Sequence, residues 1–165
     1  MNTNEDRLCA RLLVKFCGWK WWAFPWQEDG VWQTVRSLRS PAFPDKNWRD
    51  WAIRKCVQIA PATGDEPVMR NCHKSEIIPP LASSLDACAM LKSALLANGF
   101  EIETSCWPAE DHETGERCGV HVQAKIRDEE MEITLGAHSH TVPEYSAAVE
   151  AMAICRAADA IPEGV

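Results

Sequence analysis

An α+β fold is predicted by three observations. Apolar residues recur at helical spacing in three well-separated segments. They alternate with polar residues in three others. The alternating segments follow one another without interruption between two of the helices, which is the order of an antiparallel meander. Together these place a three-stranded antiparallel sheet over 100–137, with flanking helices near 4–17, 83–98 and 142–160.

The first helix is predicted over 4–17. Asn4 can cap it, and Glu5 and Asp6 fall in the first turn, where the helix dipole favours negative charge. Leu8, Cys9, Leu12, Leu13 and Phe16 supply the apolar stripe, and Gly18 suits a left-handed C-terminal cap. The next helix is predicted over 83–98, with Ser83 and Asp86 in the pattern of a capping box. Its stripe is Leu85, Cys88, Leu91, Leu95 and Leu96, and Gly99 ends it.

Three strands follow. Phe100, Ile102 and Thr104 alternate with Glu101, Glu103 and Ser105. Val120, Val122, Ala124 and Ile126 alternate with His121, Gln123 and Lys125. Met131, Ile133, Leu135 and Ala137 alternate with Glu132, Thr134 and Gly136. Asp128-Glu129-Glu130 makes a tight connection and 107–117 a longer polar one. The last helix is introduced by Thr141-Val142-Pro143-Glu144, with a cap, a proline in the first turn and a capping-box Glu. Pro162 and Gly164 stop it.

The stretch 19–82 is harder to place. Trp19-Lys20-Trp21-Trp22-Ala23-Phe24-Pro25-Trp26 is too aromatic for a plain loop, and seven prolines from Pro25 to Pro80 break any long element. Val31 to Arg36 alternates and predicts a short edge strand. Asp45 to Gln58 fits a helix capped by Asp45, and 60–82 reads as a long ordered loop.

A length of 165 residues suits a single domain. No apolar run approaches the ~20 residues needed to cross a bilayer. The polar, acidic start predicts no secretory signal. The eight cysteines therefore read as mainly reduced, with Cys9, Cys88 and Cys155 on apolar helix faces. Charge is uneven. Residues 1–82 carry twelve Lys/Arg against nine Asp/Glu, and residues 83–165 carry five against fifteen. A pI near 5.2 argues against general nucleic-acid binding. Seven of the eight tryptophans lie in the first half, which leaves room for a local basic and aromatic site there.

Several strings resemble the phage ABA sandwich family. These are Gly18-Trp19-Lys20-Trp21-Trp22 after the first helix, Pro79-Pro80-Leu81-Ala82-Ser83-Ser84-Leu85-Asp86 before the second, and Thr141-Val142-Pro143 with Ala153-Ile154-Cys155-Arg156-Ala157 in the last. The resemblance covers about 1–22 and 77–162, with a Trp/Pro-rich insertion at about 23–76. It implies helix–sheet–helix layers, a phage or prophage origin and the host cytoplasm. It brings no catalytic residues. It also meets an internal tension: Glu101, Glu103, His121, Gln123 and Lys125 make one sheet face polar, so that face is expected to be partly covered or a wet contact surface.

The strongest ligand candidate joins Trp21, Trp22 and Trp26 with Arg36, Arg39, Arg49 and Arg54. Aromatic faces stack on bases, and guanidinium forks match phosphates. The competing reading is that these tryptophans seal a core. A weak zinc candidate is Cys106, His112, Cys118 and His121, whose spacing fits no standard pattern; surface histidines near strand ends explain it as well. His138-Ser139-His140 lacks the further ligands a hydrolase needs. Cys72-His73 places adjacent side chains that diverge, so it makes no dyad.

With no catalytic constellation, the expectation is a non-enzymatic accessory protein that counters a bacterial defence by binding, without a cofactor. It would sequester a nucleotide-type signal through the Trp/Arg surface. The alternatives are binding of a host or phage protein through the acidic C-terminal half, and a zinc-binding or hydrolytic protein. The exposed edges of a three-stranded sheet also predict a homo-oligomer.

Overall fold

A computed structural model describes residues 4–43, 57–59, 78–111, 113–139 and 146–163. The helix capped by Asp45 lies outside the described residues, except that its last two predicted residues, Val57 and Gln58, are extended. The sequence reading treats the chain as one domain with an insertion. Its contacts group into two compact units, Met1–Ile78 and Pro79–Val165.

The first unit begins with α1, Asn4–Phe16, which buries Leu8, Cys9, Ala10, Leu12 and Leu13. Gly18 ends it at φ +71°, as its lack of a Cβ permits. The chain then turns so that the Trp19 N–H donates back to the Leu13 carbonyl at 3.1 Å. Strands β1 (Lys20–Glu28) and β2 (Val31–Arg39) form a hairpin, and β3 (Val57–Ile59) pairs with β1 on its other side, giving the order β2-β1-β3. Among the described residues β2 lies at the edge, as the sequence predicts, though the strand runs three residues further than Arg36.

Strand β1 is the correction, since the sequence reading placed no strand at 20–28. One residue argued against it. Pro25 lacks an N–H, yet β3 pairs only with Trp21, Trp22 and Ala23, so Pro25 lies beyond it and faces β2 alone among the described residues. Asp29-Gly30, at φ 48° and 80°, is the two-residue turn with both central residues left-handed that joins right-twisted strands. That dipeptide is a hairpin signal standing in the sequence.

In the second unit, α2 (Leu85–Ala97) is capped by Ser84 and not by Ser83. The Ala87 N–H donates to Ser84 Oγ at 3.3 Å. Its C-terminus closes with Gly99 at φ +87°. The Gly99 N–H donates to the Leu96 carbonyl and the Phe100 N–H to the Leu95 carbonyl, and the buried Phe100 ring completes the cap. Strands β4 (Glu101–Glu110), β5 (Arg117–Arg127) and β6 (Glu132–Ser139) form the expected antiparallel meander. The last helix, α3, runs Ala147–Asp159 with Ser146 at its cap, five residues later than expected; Thr141 to Glu144 lie outside the described residues.

Register divides the meander into two faces. Val120, Val122, Ala124 and Ile126 are buried on one. There α3 packs on β5 and β6, with Ala151, Ala153, Ile154, Ala157 and Ala158 of the helix buried. Glu150 of α3 ties three elements together on this side. It accepts from Lys92 of α2 at 3.3 Å and from Thr104 of β4 at 3.2 Å, so both helices of the unit lie on this face.

Cys9, Cys88 and Cys155 are buried thiols, as expected. A hydrogen bond with Cys155 holds the Cys88 thiol below its ordinary pKa, against the upward push of burial. Burial still keeps it from reagents. Among the described cysteines, iodoacetamide should therefore label the exposed Cys106 first and Cys9, Cys88 and Cys155 only on unfolding. Peptide mass spectrometry after timed alkylation checks this; early labelling of Cys88 would contradict it.

Candidate functional site

Those of the seven Trp/Arg candidates whose side chains are described do not converge on one surface. Trp21 is buried at 6% exposure, facing the buried Leu38 across the hairpin. Arg39 is also buried, at 4%, with its guanidinium 5.3 Å from the centre of the Phe43 ring. Trp22 is half-buried and meets the same ring edge-on at 5.0 Å. Trp22 and Arg39 thus meet at the Phe43 ring, whereas Trp21 leaves the opposite face of the hairpin. Arg36 is exposed. Trp26 is placed by its backbone, opposite Gln33, and its side chain lies outside the described part; so do Arg49 and Arg54.

One exposed tryptophan of this unit is Trp32, at 61%, which the candidate set omitted. It shares the parity of Arg36 on β2, so both side chains leave the same face of the hairpin. The signal was available: Asp29-Gly30 fixes the hairpin, and alternation from Leu38 puts Arg36 and Trp32 on one side.

The zinc candidate is not assembled either. Cys106 pairs with Val122 on the helix-covered face, whereas His121 pairs with Trp107 on the other. Cys118 directs its thiol to the Ala109 carbonyl at 3.7 Å, and His112 lies outside the described residues, as do His140, Cys72 and His73. Among the described residues no group of three or more His, Cys, Asp or Glu could hold a metal ion.

What the structure does assemble is the outward face of the meander. Glu101, Glu103, Gln123 and Thr134 on it are exposed, and His121 and Lys125 are half-buried. This is the wet surface that the sequence pattern implied. Ion pairs hold one end: Arg127 Nε to Glu101 at 2.7 Å and Lys125 Nζ to Glu132 at 3.1 Å. The carboxylate of Glu101 raises the Arg127 pKa above its ordinary value. Towards the other end the rows become neutral and then aromatic. Trp107, His121 and His138 lie side by side across all three strands. Trp107 stacks on His121 with ring centres 6.0 Å apart and planes 27° apart, and His121 meets His138 at 5.7 Å. Trp107 is 44% exposed and His138 is exposed.

Beyond this row the β4–β5 connection is acidic. Asp111 Oδ1 accepts from the N–H groups of Glu113 and Thr114 and from the Thr114 hydroxyl. Those bonds favour the carboxylate and hold Asp111 below its ordinary pKa. Glu110, Asp111, Glu113 and Glu116 around it are all exposed.

Among the described residues no helix is long and apolar enough to cross a membrane. Comparison with models of protein families, with curated proteins and with solved structures returns no match.

Proposed function

We propose that the protein acts by binding, with no catalytic step, and that its partner is a host or phage protein with a basic contact surface. The observation that carries this is Trp107, 44% exposed at the end of an open sheet face that is bordered by acidic groups. A large, rigid aromatic within a polar rim is the composition of an interface anchor. The charge around it, with fifteen acidic against five basic residues over 83–165, selects a basic partner and repels nucleic acid. The resemblance to phage ABA sandwich proteins supports an accessory, counter-defence role in a host cytoplasm.

The test uses the intact chain and Trp107→Ala as baits for host-cell extract. A basic partner should be retained by the wild type and lost with the variant. Once that partner is purified, Trp107→Ala should weaken binding by about thirtyfold, the effect of losing a hot spot worth roughly 2 kcal/mol. Raised salt should weaken it further. Stability should change by less than about 1 kcal/mol, since the substitution is at the surface. Equal capture by both baits would refute the reading.

A second reading keeps the nucleotide-type ligand but moves it within the first unit. Exposed Trp32 and Arg36 on one face of β2 offer a stacking ring and a phosphate fork. A nucleotide that raises the melting temperature of the wild type but not of Arg36→Ala would favour it.

A further inference from the structure

We propose that His121 and His138 form a two-imidazole site for a divalent transition-metal cation of the zinc, nickel or copper kind. This does not depend on the protein-binding reading. The two residues are direct cross-strand partners, His121 on the central strand β5 and His138 on β6. Their neighbours fix the side from which they emerge. Val122 and Ala137, the next pair along, are buried beneath α3, so the two imidazoles leave the opposite, open face.

The spacing suits chelation. Zinc bonds imidazole nitrogen at about 2.0–2.1 Å, so two rings sharing one ion at tetrahedral to trigonal angles have centres roughly 5–5.5 Å apart. The observed separation is 5.7 Å, close to that spacing, with the planes tilted by 51°. Trp107 covers the other flank of His121 at 6.0 Å and restricts its ring. His138 is exposed.

Charge decides between a cation and an anion. Glu101, Glu103 and Glu132 share this face, while Lys125 and Arg127 are engaged with Glu132 and Glu101. Glu110, Asp111, Glu113 and Glu116 stand at the Trp107 end. The field attracts a divalent cation and repels a phosphate. Neutral imidazole donors select zinc, nickel or copper over calcium or magnesium, which take oxygen ligands. The site shares only His121 with the Cys106, His112, Cys118 and His121 set, since Cys106 lies on the other face.

Titration of the untagged, reduced chain with ZnCl2 by calorimetry tests the site. One ion should bind, in the micromolar range. His121→Gln and His138→Gln should each weaken it at least tenfold, and Cys106→Ser should leave it unchanged. Copper(II) should quench Trp107 fluorescence in the wild type, and this component should disappear in His138→Gln even though Trp107 remains. Circular dichroism of each histidine variant confirms that it is folded. No zinc binding by the wild type, undiminished binding by His138→Gln, or loss in Cys106→Ser would each overturn the proposal.

Discussion

Trp21→Ala should lower stability by about 3–5 kcal/mol, while Arg36→Ala in the same hairpin should change it by less than about 0.5 kcal/mol. The difference follows from position alone. Trp21 is 6% exposed and lies against Leu38, itself 3% exposed, at the base of the hairpin. Removing the indole deletes its transfer free energy and leaves a cavity that the paired backbones of β2 and β3 cannot close. Arg36, on the same face but further from the base, is exposed. Against a total stability of about 5–15 kcal/mol for a typical protein, the Trp21 loss is enough to unfold a marginal unit. Urea denaturation followed by tryptophan fluorescence reports mainly on this half, since seven of the eight tryptophans lie there. An unchanged midpoint for Trp21→Ala would mean that the indole is not part of the core, and would restore it as a ligand candidate.

The contrast between Trp21 and Arg36 shows where the sequence was legible and where it was not. The second half was readable because each segment carries one clean period. Val120 to Ile126 alternates without a break, and every apolar member is buried on one face. The polar members of the same strands announced the open face. The first half was not readable in that way. In β1 aromatic residues occupy both parities, so Trp21 and Trp22 leave opposite faces and alternation disappears. Pro25 argued against a strand because it lacks an N–H; only the register shows that, among the described residues, it faces β2 alone. Ion-pair and stacking geometry on the open face was beyond the sequence for another reason. His121 and His138 are seventeen positions apart, and only the β5–β6 register makes them neighbours. A linear motif search weighs each histidine with the residues beside it in the chain, and so grouped His121 with Cys118 and His138 with His140.

Two adjacent leucines of α2 differ sharply in burial, and their substitution gives the second large effect. Leu95 and Leu96 both fall in the apolar stripe predicted for α2, yet Leu95 is fully buried and Leu96 is 60% exposed. Adjacent residues on a helix point about 100° apart, so a stripe wide enough to include both must leave one at its margin. Leu95→Ala should cost about 2–5 kcal/mol, since it leaves a cavity where a fully buried side chain stood. Leu96→Ala should be close to neutral. It exposes no new cavity, and alanine is at least as good a helix former as leucine. Both substitutions remove the same atoms from neighbouring positions of one helix, so intrinsic helix preference cancels between them and the difference isolates burial. Urea denaturation monitored by far-ultraviolet circular dichroism, fitted with a common slope, reads the two values directly. Equal losses would mean that α2 is rotated about its axis from the orientation described, and with it the side chain of Lys92 that reaches Glu150.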